Sequence, residues 1–322
     1  MTILVTGGCG FIGSNFINDW FGFYDEPVVN IDKLTYAANK NNIIHNKNYI
    51  HYEVDICDFV SVKNILLNHK PRAVIHFAAE SHVDNSIKDP NIFVETNVVG
   101  TLNLLNSVLQ IDKNIKFVHV STDEVYGSLN ISDPASTEMD LYLPNSPYAA
   151  SKASSDLLVR SYNKTYGLNT IITNCSNNYG AYQHREKFIP TIINSCLENK
   201  PIPIYGDGKN IRDWLFVKDH CSALKLVVEK GVAGEKYNIG GTNQFTNIEV
   251  VNKICEFMDI KVPREYSYKK LISFVEDRLG HDRRYDINCS KIKKHFGWEQ
   301  SVFFNEGLEY TVDWYIKEYF KL

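Results

Sequence analysis

Two neighbouring acids, Asp123 and Glu124, follow a run of apolar residues in the segment VHVSTDEVYG (118–127). The apolar run predicts a buried strand, and the acids come where that strand ends. Two carboxyl groups that share a pocket can act as a base and an acid, because burial beside another carboxyl raises the pKa of one of them. Ser121 and Glu124 also fit a helix capping box, in which case the acids would only stabilise a helix N-terminus.

A glycine-rich turn, GGCGFIGSN (7–15), follows the first apolar run and spaces Gly7, Gly10 and Gly13 by three residues. Glycines there allow a tight turn and let backbone N–H groups approach a pyrophosphate at the N-terminus of the next helix. Asp32 lies 19 residues beyond Gly13, where an acid accepts hydrogen bonds from an adenosine ribose. A carboxylate repels a 2′-phosphate, so the pattern favours NAD over NADP, although the lysine that follows partly offsets this repulsion. The alternative is a tight strand–helix turn that binds nothing.

Tyr148 and Lys152 are four residues apart in the segment PYAASK (147–152) and would lie on one face of a helix. A lysine ammonium and the positive nicotinamide both favour the ionised form of a nearby phenol. Moving a tyrosine pKa from about 10 to about 7 takes ~4 kcal/mol, which two cations in a low-dielectric cleft can supply. The phenolate could then remove a hydroxyl proton as hydride leaves the same carbon. An exposed tyrosine–lysine pair without a function has the same spacing.

The elements that must position these groups alternate along the first half of the chain. Apolar runs are typical of parallel strands covered on both faces, and their alternation with amphipathic segments predicts a doubly wound parallel sheet. The predicted strands are 3–6, 28–31, 50–54, 73–77, 117–121 and 170–174, and the predicted helices are 12–21, 59–68, 90–109 and 148–166.

After residue 174 the residue pattern changes, and segments rich in Pro and Gly predict loops. A helix is predicted over 218–230 and a strand over 236–239. We therefore predict an α/β fold with an NAD-binding Rossmann domain and a smaller, interleaved C-terminal α/β substrate lobe. The Rossmann domain is predicted to span 1–174, with a return of the chain around 213–240, and the lobe to occupy mainly 175–322.

Composition excludes several classes of protein. Hydrophobic residues make up 44% and charged residues 22% of the 322 residues, as in soluble globular proteins. A net charge of -4 without a basic block argues against nucleic-acid and membrane partners. No apolar run is expected to reach the length of a membrane span. Seven cysteines without a C-x-x-C pair indicate reduced thiols and no metal site, so we predict a cytoplasmic protein.

The motifs in their order, GGCGFIGSN, Asp32, FAAESHVDNS (77–86), STDEVYG and YAASK, resemble the extended short-chain dehydrogenase/reductase family. The block Thr122-Asp123-Glu124 resembles its nucleoside-diphosphate-glucose 4,6-dehydratases. The likeness continues through NCSNNYGAYQHREKFIP (174–190), PIPIYGDGKNIRDWLFV (201–217) and DRLGHDRRYDIN (277–288), and so covers nearly the whole chain. It implies an NAD-dependent lyase with a nucleotide-sugar substrate, dTDP-glucose ahead of UDP-glucose. It also implies a homodimer that pairs through the Tyr148 helix and the long helix before it.

The resemblance implies a role for each residue of the reacting centre. Tyr148 and Lys152 would serve the oxidation of C4, and Thr122 would hydrogen-bond the C4 oxygen. Glu124 would remove the C5 proton and Asp123 would protonate the departing C6 oxygen, after which hydride returns to C6.

The resemblance also implies two sets of binding residues. The cofactor set is Gly7, Gly10, Phe11, Ile12, Gly13, Asp32, Lys33, Leu34, Thr35, Asp55, Ile56, Ala78, Ala79, Ser81, Thr96, Tyr148, Lys152 and Asn178. The substrate set is His82, Thr122, Asn177, Lys187, Phe188, Pro203, Tyr205, Arg212, Asn247, Arg278 and His281. An arginine suits a diphosphate because its planar fork donates two parallel hydrogen bonds. Arg212 could instead form a surface ion pair with Asp207 or Asp213, and His82 could be an ordinary loop histidine.

Three other functions stay open. A UDP-glucose 4,6-dehydratase is nearest, because thymine and uracil differ by one methyl group, worth at most about 1 kcal/mol of burial. A sugar-nucleotide 4-epimerase shares the oxidation, but it needs no acid and base at C5 and C6. A non-catalytic, NAD-sensing protein could use the same fold, but it would not need the five residues of the reacting centre.

Overall fold

A seven-stranded parallel sheet forms the centre of the fold in the computed structural model, which describes residues 1–321. The strands of the chain are β1 (Ile3–Thr6), β2 (Val28–Ile31), β3 (Tyr49–Tyr52), β4 (Ala73–His76), β5 (Lys116–Thr122), β6 (Thr170–Cys175), β7 (Asn177–Tyr179), β8 (Ile202–Tyr205), β9 (Ile211–Phe216), β10 (Lys236–Ile239), β11 (Gln244–Thr246) and β12 (Ile272–Val275). The central sheet has the order β10-β6-β5-β4-β1-β2-β3. This is a doubly wound sheet of the Rossmann type, as predicted.

Helices cover both faces of this sheet. The helices of the chain are α1 (Phe11–Phe23), α2 (Phe59–His69), α3 (Val83–Lys88), α4 (Asn91–Phe93), α5 (Thr101–Ile111), α6 (Pro147–Tyr166), α7 (Phe188–Glu198), α8 (Val217–Lys230), α9 (Asn247–Lys261), α10 (Ser290–Phe296) and α11 (Phe304–Phe320). A π-helical segment, Val94–Gly100, joins α4 and α5 into one helix, and short 3₁₀ helices span Lys40–Asn42, Asp123–Tyr126 and Tyr268–Leu271.

The strand side chains alternate between two apolar layers. Ile3 and Val5 of β1 pack with residues of α1 and α8, whereas Leu4 packs with residues of α2, α5 and α6. Burial of both faces explains why these strands are apolar throughout.

Helix α6, which carries Tyr148 and Lys152, begins and ends at clear signals. The Ser146 side chain accepts a hydrogen bond from the Ala149 amide at 3.1 Å, and Pro147 occupies the first helical position. Gly167 ends the helix with a φ of 70°. Its first turn is therefore held firmly beside the end of β5, which it contacts.

The second lobe contains a three-stranded sheet, β11-β9-β7, and a parallel pair, β12-β8. Both pack with α7, α9 and α11 in a separate apolar core. The chain returns to the central sheet through α8, which packs on α1, and through β10, which pairs with β6. Strand β9 belongs to the small sheet, and α8 begins directly after it at Val217.

The helix Asn91–Ile111 corrects the expectation that no apolar stretch reaches a membrane-spanning length. Its 21 residues include a window of mean hydropathy 1.3, long and apolar enough to cross a membrane by length and composition. Half of that window is buried inside the fold. Packing against α2 and α6 accounts for this apolar character.

Candidate active site

A cleft of about 310 Å³ opens at the carboxyl ends of the central strands. Strand order reverses between β1 and β4, and the loops that leave those strands in opposite directions create the crevice in which α/β proteins bind ligands. The same cleft contains the glycine turn and all five residues predicted to react: Thr122, Asp123, Glu124, Tyr148 and Lys152.

The glycine turn packs so closely that side chains are excluded from it. Gly7 has a φ of 71°, and a Cβ there would lie 2.6 Å from the Ala78 Cα. A Cβ on Gly13 would lie 2.4 Å from the Gly7 carbonyl oxygen. Glycine is therefore required at both positions, and it leaves the N-terminus of α1 open to a pyrophosphate.

Asp32 is buried at the end of β2 with both carboxylate oxygens fixed. One accepts a hydrogen bond from the Cys9 amide and the other from the Leu34 amide, each at 2.9 Å. Each oxygen keeps a lone pair for a ribose hydroxyl. Lys33 turns away to Asp55, with 3.3 Å between Nζ and Oδ2, so it does not offset the charge of Asp32 through a direct ion pair. This arrangement fits NAD better than NADP.

Most of the predicted cofactor set lines the cleft. Besides Tyr148 and Lys152, the residues that do so are Gly7, Gly10, Phe11, Ile12, Gly13, Asp32, Lys33, Thr35, Ile56, Ala78, Ala79, Ser81, Thr96 and Asn178. Leu34 and Asp55 do not line it; their roles are to hold Asp32 and Lys33.

The two acids follow β5 in a single 3₁₀ turn. Thr122 caps this turn by accepting a hydrogen bond from the Glu124 amide at 3.3 Å, and it donates one to Asp123 Oδ1 at 3.3 Å. The cap is therefore Thr122, and the capping box proposed for Ser121 does not form. Because the turn bends the backbone, both carboxyl groups reach the cleft.

The surroundings of Asp123 and Glu124 raise the pKa values of the two carboxyl groups to different extents. Burial raises the pKa of Asp123 well above its usual value, and the charges of Glu124 and Asp213 raise it further. Burial also raises the pKa of Glu124, but the cations Arg278, Arg212 and Lys187 act against it. The pKa of Asp123 is thus raised further than that of Glu124, so Asp123 is the better placed of the two to keep a proton and Glu124 the better placed to ionise.

Tyr148 and Lys152 are not an exposed pair. Lys152 is 4% exposed and donates a hydrogen bond to the Val120 carbonyl oxygen at 2.9 Å. Burial and the charge of Glu124 raise the pKa of Tyr148 well above its usual value, whereas a hydrogen bond with Thr122 lowers it. A phenolate at this position therefore needs a cation beside it, and Lys152 on the same helix face is the cation that α6 offers.

The predicted substrate residues fall into two groups. Thr122, Asn177 and Lys187 line the cleft, and the Asn177 Oδ1 is buried without a hydrogen-bond partner in residues 1–321. The others lie outside the cleft lining: His82, Phe188, Pro203, Tyr205, Arg212, Asn247, Arg278 and His281.

Asp84 contacts two of these outer residues and so links the two lobes. Arg278 lies 3.7 Å from Asp84, and the Tyr205 hydroxyl donates a hydrogen bond to the same carboxylate at 3.2 Å. His82 caps α3 by accepting a hydrogen bond from the Asn85 amide at 3.4 Å. Two cationic side chains, Arg278 and Arg212, nevertheless act on Glu124 from this side.

Arg212 is buried and does not form the surface ion pair that we considered as its alternative. It donates a hydrogen bond to the Asp282 carbonyl oxygen at 2.9 Å, and its guanidinium lies 4.3 Å from the centre of the Tyr285 ring. Asp207 pairs instead with Arg283 at 2.9 Å.

Sequence reasoning missed several residues of the cleft. Glu80 lies in the loop after β4, and Cys175 and Ser176 come at the end of β6, so their positions near strand ends could have indicated them. Gln183 and His184 come from the loop between β7 and α7, which carries no comparable signal.

Comparisons with known proteins agree with this geometry. A family model described as GDP-mannose 4,6 dehydratase matches residues 4–311. The chain is 50% identical to the dTDP-glucose 4,6-dehydratase of Haemophilus influenzae, with 98% of each chain covered. The crystal structure of DesIV, a dTDP-glucose 4,6-dehydratase from Streptomyces venezuelae with NAD bound, matches with a TM-score of 0.92 and 42% identity over 98% of this chain and 97% of that one. A UDP-glucose 4-epimerase from Thermotoga maritima matches at a TM-score of 0.89 with 30% identity over 99% and 100%.

Proposed function

The chain belongs to the GDP-mannose 4,6-dehydratase family, within the extended short-chain dehydrogenases/reductases, and we propose that it is an NAD-dependent hydro-lyase that converts dTDP-glucose into dTDP-4-keto-6-deoxyglucose. The observation that carries this proposal is the pair Asp123 and Glu124, which share a cleft with Tyr148 and Lys152 and whose pKa values are raised to different extents. An epimerase has no use for an acid and a base at C5 and C6. The dTDP-linked substrate is supported by the 50% identity to a dTDP-glucose 4,6-dehydratase.

NAD, when bound, supplies a hydride acceptor for C4 and later a hydride donor for C6. The glycine turn would hold its pyrophosphate, and Asp32 its adenosine ribose. Tyr148 would take the proton of the C4 hydroxyl, with Lys152 favouring the phenolate through its charge. Thr122, which lines the same cleft as Tyr148, would hold the C4 oxygen in reach of the phenol.

Elimination of water then follows from the ketone at C4. The ketone makes the C5 proton acidic and turns the C6 hydroxyl into a β leaving group. Glu124 would remove the C5 proton as an ionised base. Asp123 would give its proton to the departing C6 oxygen, because an alkoxide is a poor leaving group and water a good one.

The diphosphate of the substrate would be held by the cations near Glu124. Arg212 and Arg278 come from the second lobe, and Lys187 directly precedes α7. Arg278 lies 3.7 Å from Asp84, and we propose that a diphosphate would pair with Arg278 in place of that carboxylate.

Pairing of two chains is supported by apolar side chains on the outer face of two helices. Val94 and Val99 in the helix Asn91–Ile111 are 51% and 42% exposed, and Leu157 of α6 is 57% exposed. A two-fold contact between these helices would bury them, as the family resemblance implies. The cysteines are free thiols, which supports a cytoplasmic location for the homodimer.

The reaction is tested with dTDP-glucose deuterated at C4. We expect a 4-keto-6-deoxy product that carries the deuterium at C6, and in heavy water we expect solvent deuterium at C5. Mass spectrometry and proton NMR distinguish these positions. An epimer formed without loss of water would contradict the proposal. Parallel assays with UDP-glucose measure how strongly the enzyme prefers thymine over uracil in the substrate. Equal or faster turnover of UDP-glucose would favour the UDP-linked alternative.

A further inference from the structure

A third carboxyl group, Asp213 of β9, is buried behind the two acids of the reacting centre and is 1% exposed. We propose that Asp213 is a positioning residue whose fixed negative charge keeps Asp123 protonated, so that Asp123 can act as the acid of the dehydration. This inference rests on the proposed function, in which Asp123 donates its proton to the C6 oxygen.

Strand register brings the two aspartates to the same place. Thr122 of β5 pairs with Cys175 of β6, so Asp123 comes beside Ser176. On the other side, Asn177 of β7 pairs with Trp214 of β9, so Ser176 also comes beside Asp213. The two residues are therefore neighbours of Ser176, although they are far apart in the sequence, and the charge of Asp213 acts on Asp123.

Backbone amides favour the charged form of Asp213. Its Oδ1 accepts a hydrogen bond from the Asn243 amide and its Oδ2 one from the Gly241 amide, each at 2.7 Å. These partners can only donate, so they favour the charged form and act against burial, which raises the pKa of Asp213. The turn that presents the amides needs glycine, because a Cβ on Gly241 would lie 2.0 Å from the Trp214 carbonyl oxygen.

Asp123 has no such support for a charge. A single hydroxyl donates to its Oδ1 at 3.3 Å, and its Oδ2 is buried without a partner in residues 1–321. Because two amide donors favour the charged form of Asp213 and Asp123 has no comparable donors, a proton shared between the two favours Asp123.

The other charged and titratable groups around the pair do not reverse this preference. Glu124 adds a negative charge beside Asp123, Arg212 adds a positive one, and Tyr148 and Cys175 face it from α6 and β6. Asp286 and Cys289 are the further titratable groups near Asp213. With two anions against one cation, the balance at Asp123 favours the neutral acid.

The test is the pH dependence of water elimination in the full-length enzyme with bound NAD. Elimination needs a protonated Asp123, so its rate should fall at high pH as Asp123 ionises. The Asp213→Asn substitution removes the negative charge, so the pKa of Asp123 should fall. The decline of the elimination rate at high pH, the basic limb of the pH profile, should then move to lower pH by about one unit. That shift corresponds to about tenfold slower elimination on the limb. Oxidation of C4, followed as reduced cofactor in a single turnover, should keep its pH dependence.

A double variant separates this role from a structural one. In an Asp123→Asn background there is no acid left to tune, so adding Asp213→Asn should slow elimination no further. If Asp213 only supports the fold, the second substitution should slow both backgrounds equally, and that result would overturn the proposal.

A second variant decides the question if Asp213→Asn does not fold. A Cβ on Gly240 would lie 2.6 Å from Asp213 Oδ2, so Gly240→Ala should push the carboxylate away from its amide donors and shift the basic limb in the same direction, by less. An unchanged limb in a variant that folds contradicts the role of Asp213. Failure of the proposed function looks different, because the wild-type enzyme itself would then form no dehydrated product.

Discussion

At the scale of single residues, the chemistry depends on giving different charge states to identical functional groups. Asp123, Glu124 and Asp32 are all buried or nearly so, yet each has a different set of partners. Two amides hydrogen-bond to Asp32, three cations favour the anion of Glu124, and neighbouring anions disfavour that of Asp123. Hydrogen-bond donors and nearby charges, rather than the residue type, therefore distinguish the proposed roles of cofactor ligand, base and acid.

Glu124→Gln tests the role of the base. The substitution keeps the shape of the side chain but removes its ability to accept the C5 proton, so elimination should slow by about 10²- to 10⁴-fold. Oxidation of C4 does not need this group, so reduced cofactor should accumulate after dTDP-glucose is added. Stopped-flow absorbance of the reduced nicotinamide measures this step, and NMR of the product measures the other.

Glu256→Gln is the matched control, because this carboxylate lies on the surface of α9 in an exposed ion pair with Lys269. Both steps should proceed at the wild-type rate in that variant. Wild-type elimination by Glu124→Gln would remove Glu124 as the base and leave Asp123 as the first residue to examine.

At the scale of elements, local signals account for what could be predicted from the sequence. Strands β1 and β2 end as predicted because Gly7 and Asp32 interrupt their apolar runs, and α6 begins within one residue of its prediction because Ser146 and Pro147 mark its start. The reacting residues follow such signals directly. The sequence was therefore enough to predict that the residues at the end of β5 and those in the first turns of α6 share one cleft.

What could not be predicted depends on contacts between distant segments. The π-helical segment Val94–Gly100 interrupts a helix predicted as continuous, in a region where a Cβ on Gly100 would lie 2.5 Å from Ile56 Cδ1. The contact of Asp84 with Arg278 joins two lobes, and so no local pattern indicates it. The position of Asp213 near Asp123 could not be predicted either, because the two residues approach each other only through the pairing of four strands.

Gly13→Ala tests the element that begins the predicted cofactor site. The added Cβ would lie 2.4 Å from the Gly7 carbonyl oxygen, so the turn must open or α1 must move. We expect NAD to be lost on purification and its affinity, measured by isothermal titration calorimetry, to fall by at least about tenfold.

Gly22→Ala in the same helix is the control. A Cβ at Gly22 meets no atom within 4 Å, and alanine favours a helix over glycine by about 1 kcal/mol. This variant should bind NAD as the wild type does and be slightly more stable. Equal NAD affinity in both variants would mean that the glycine turn does not hold the cofactor.

At the scale of the whole molecule, two cores share one chain and the cleft lies where they meet. The central sheet and the second lobe have separate apolar cores, and α8 and β10 return the chain from one to the other. Buried polar groups tie the structure together as well. His119 lies beneath the reacting centre, 3.2 Å from Asp156, and His220 contacts Asn178 at 2.9 Å.

These buried histidines should make folding stability depend on pH. Burial lowers the pKa of His119 to about 4 and that of His220 to about 3, whereas the unfolded chain titrates near 6.5. As the pH falls below about 6.5 the unfolded chain binds protons first, so stability present above that pH is lost on acidification. Each histidine contributes about 1.4 kcal/mol per pH unit until its folded pKa is reached.

Urea unfolding at a series of pH values measures this loss. His220→Gln should show a shallower dependence than the wild type between about pH 6.5 and pH 4, and His45→Gln, at an exposed site, should show the wild-type dependence. The same slope in all three proteins would mean that His220 does not stay neutral in the fold.

The proposed dimer can be tested through the outer face of α6, where Leu157 is 57% exposed. In a two-fold interface each substitution occurs twice near the axis, so Leu157→Asp would place two charges where two apolar side chains met. Because the side chain is exposed in the single chain, the fold should survive, and analytical ultracentrifugation should show a shift from dimer to monomer. Ile260→Asp on α9 is the control, since Ile260 is 77% exposed on the second lobe, and that variant should stay dimeric. A dimer that persists in Leu157→Asp would mean that the chains pair through another surface.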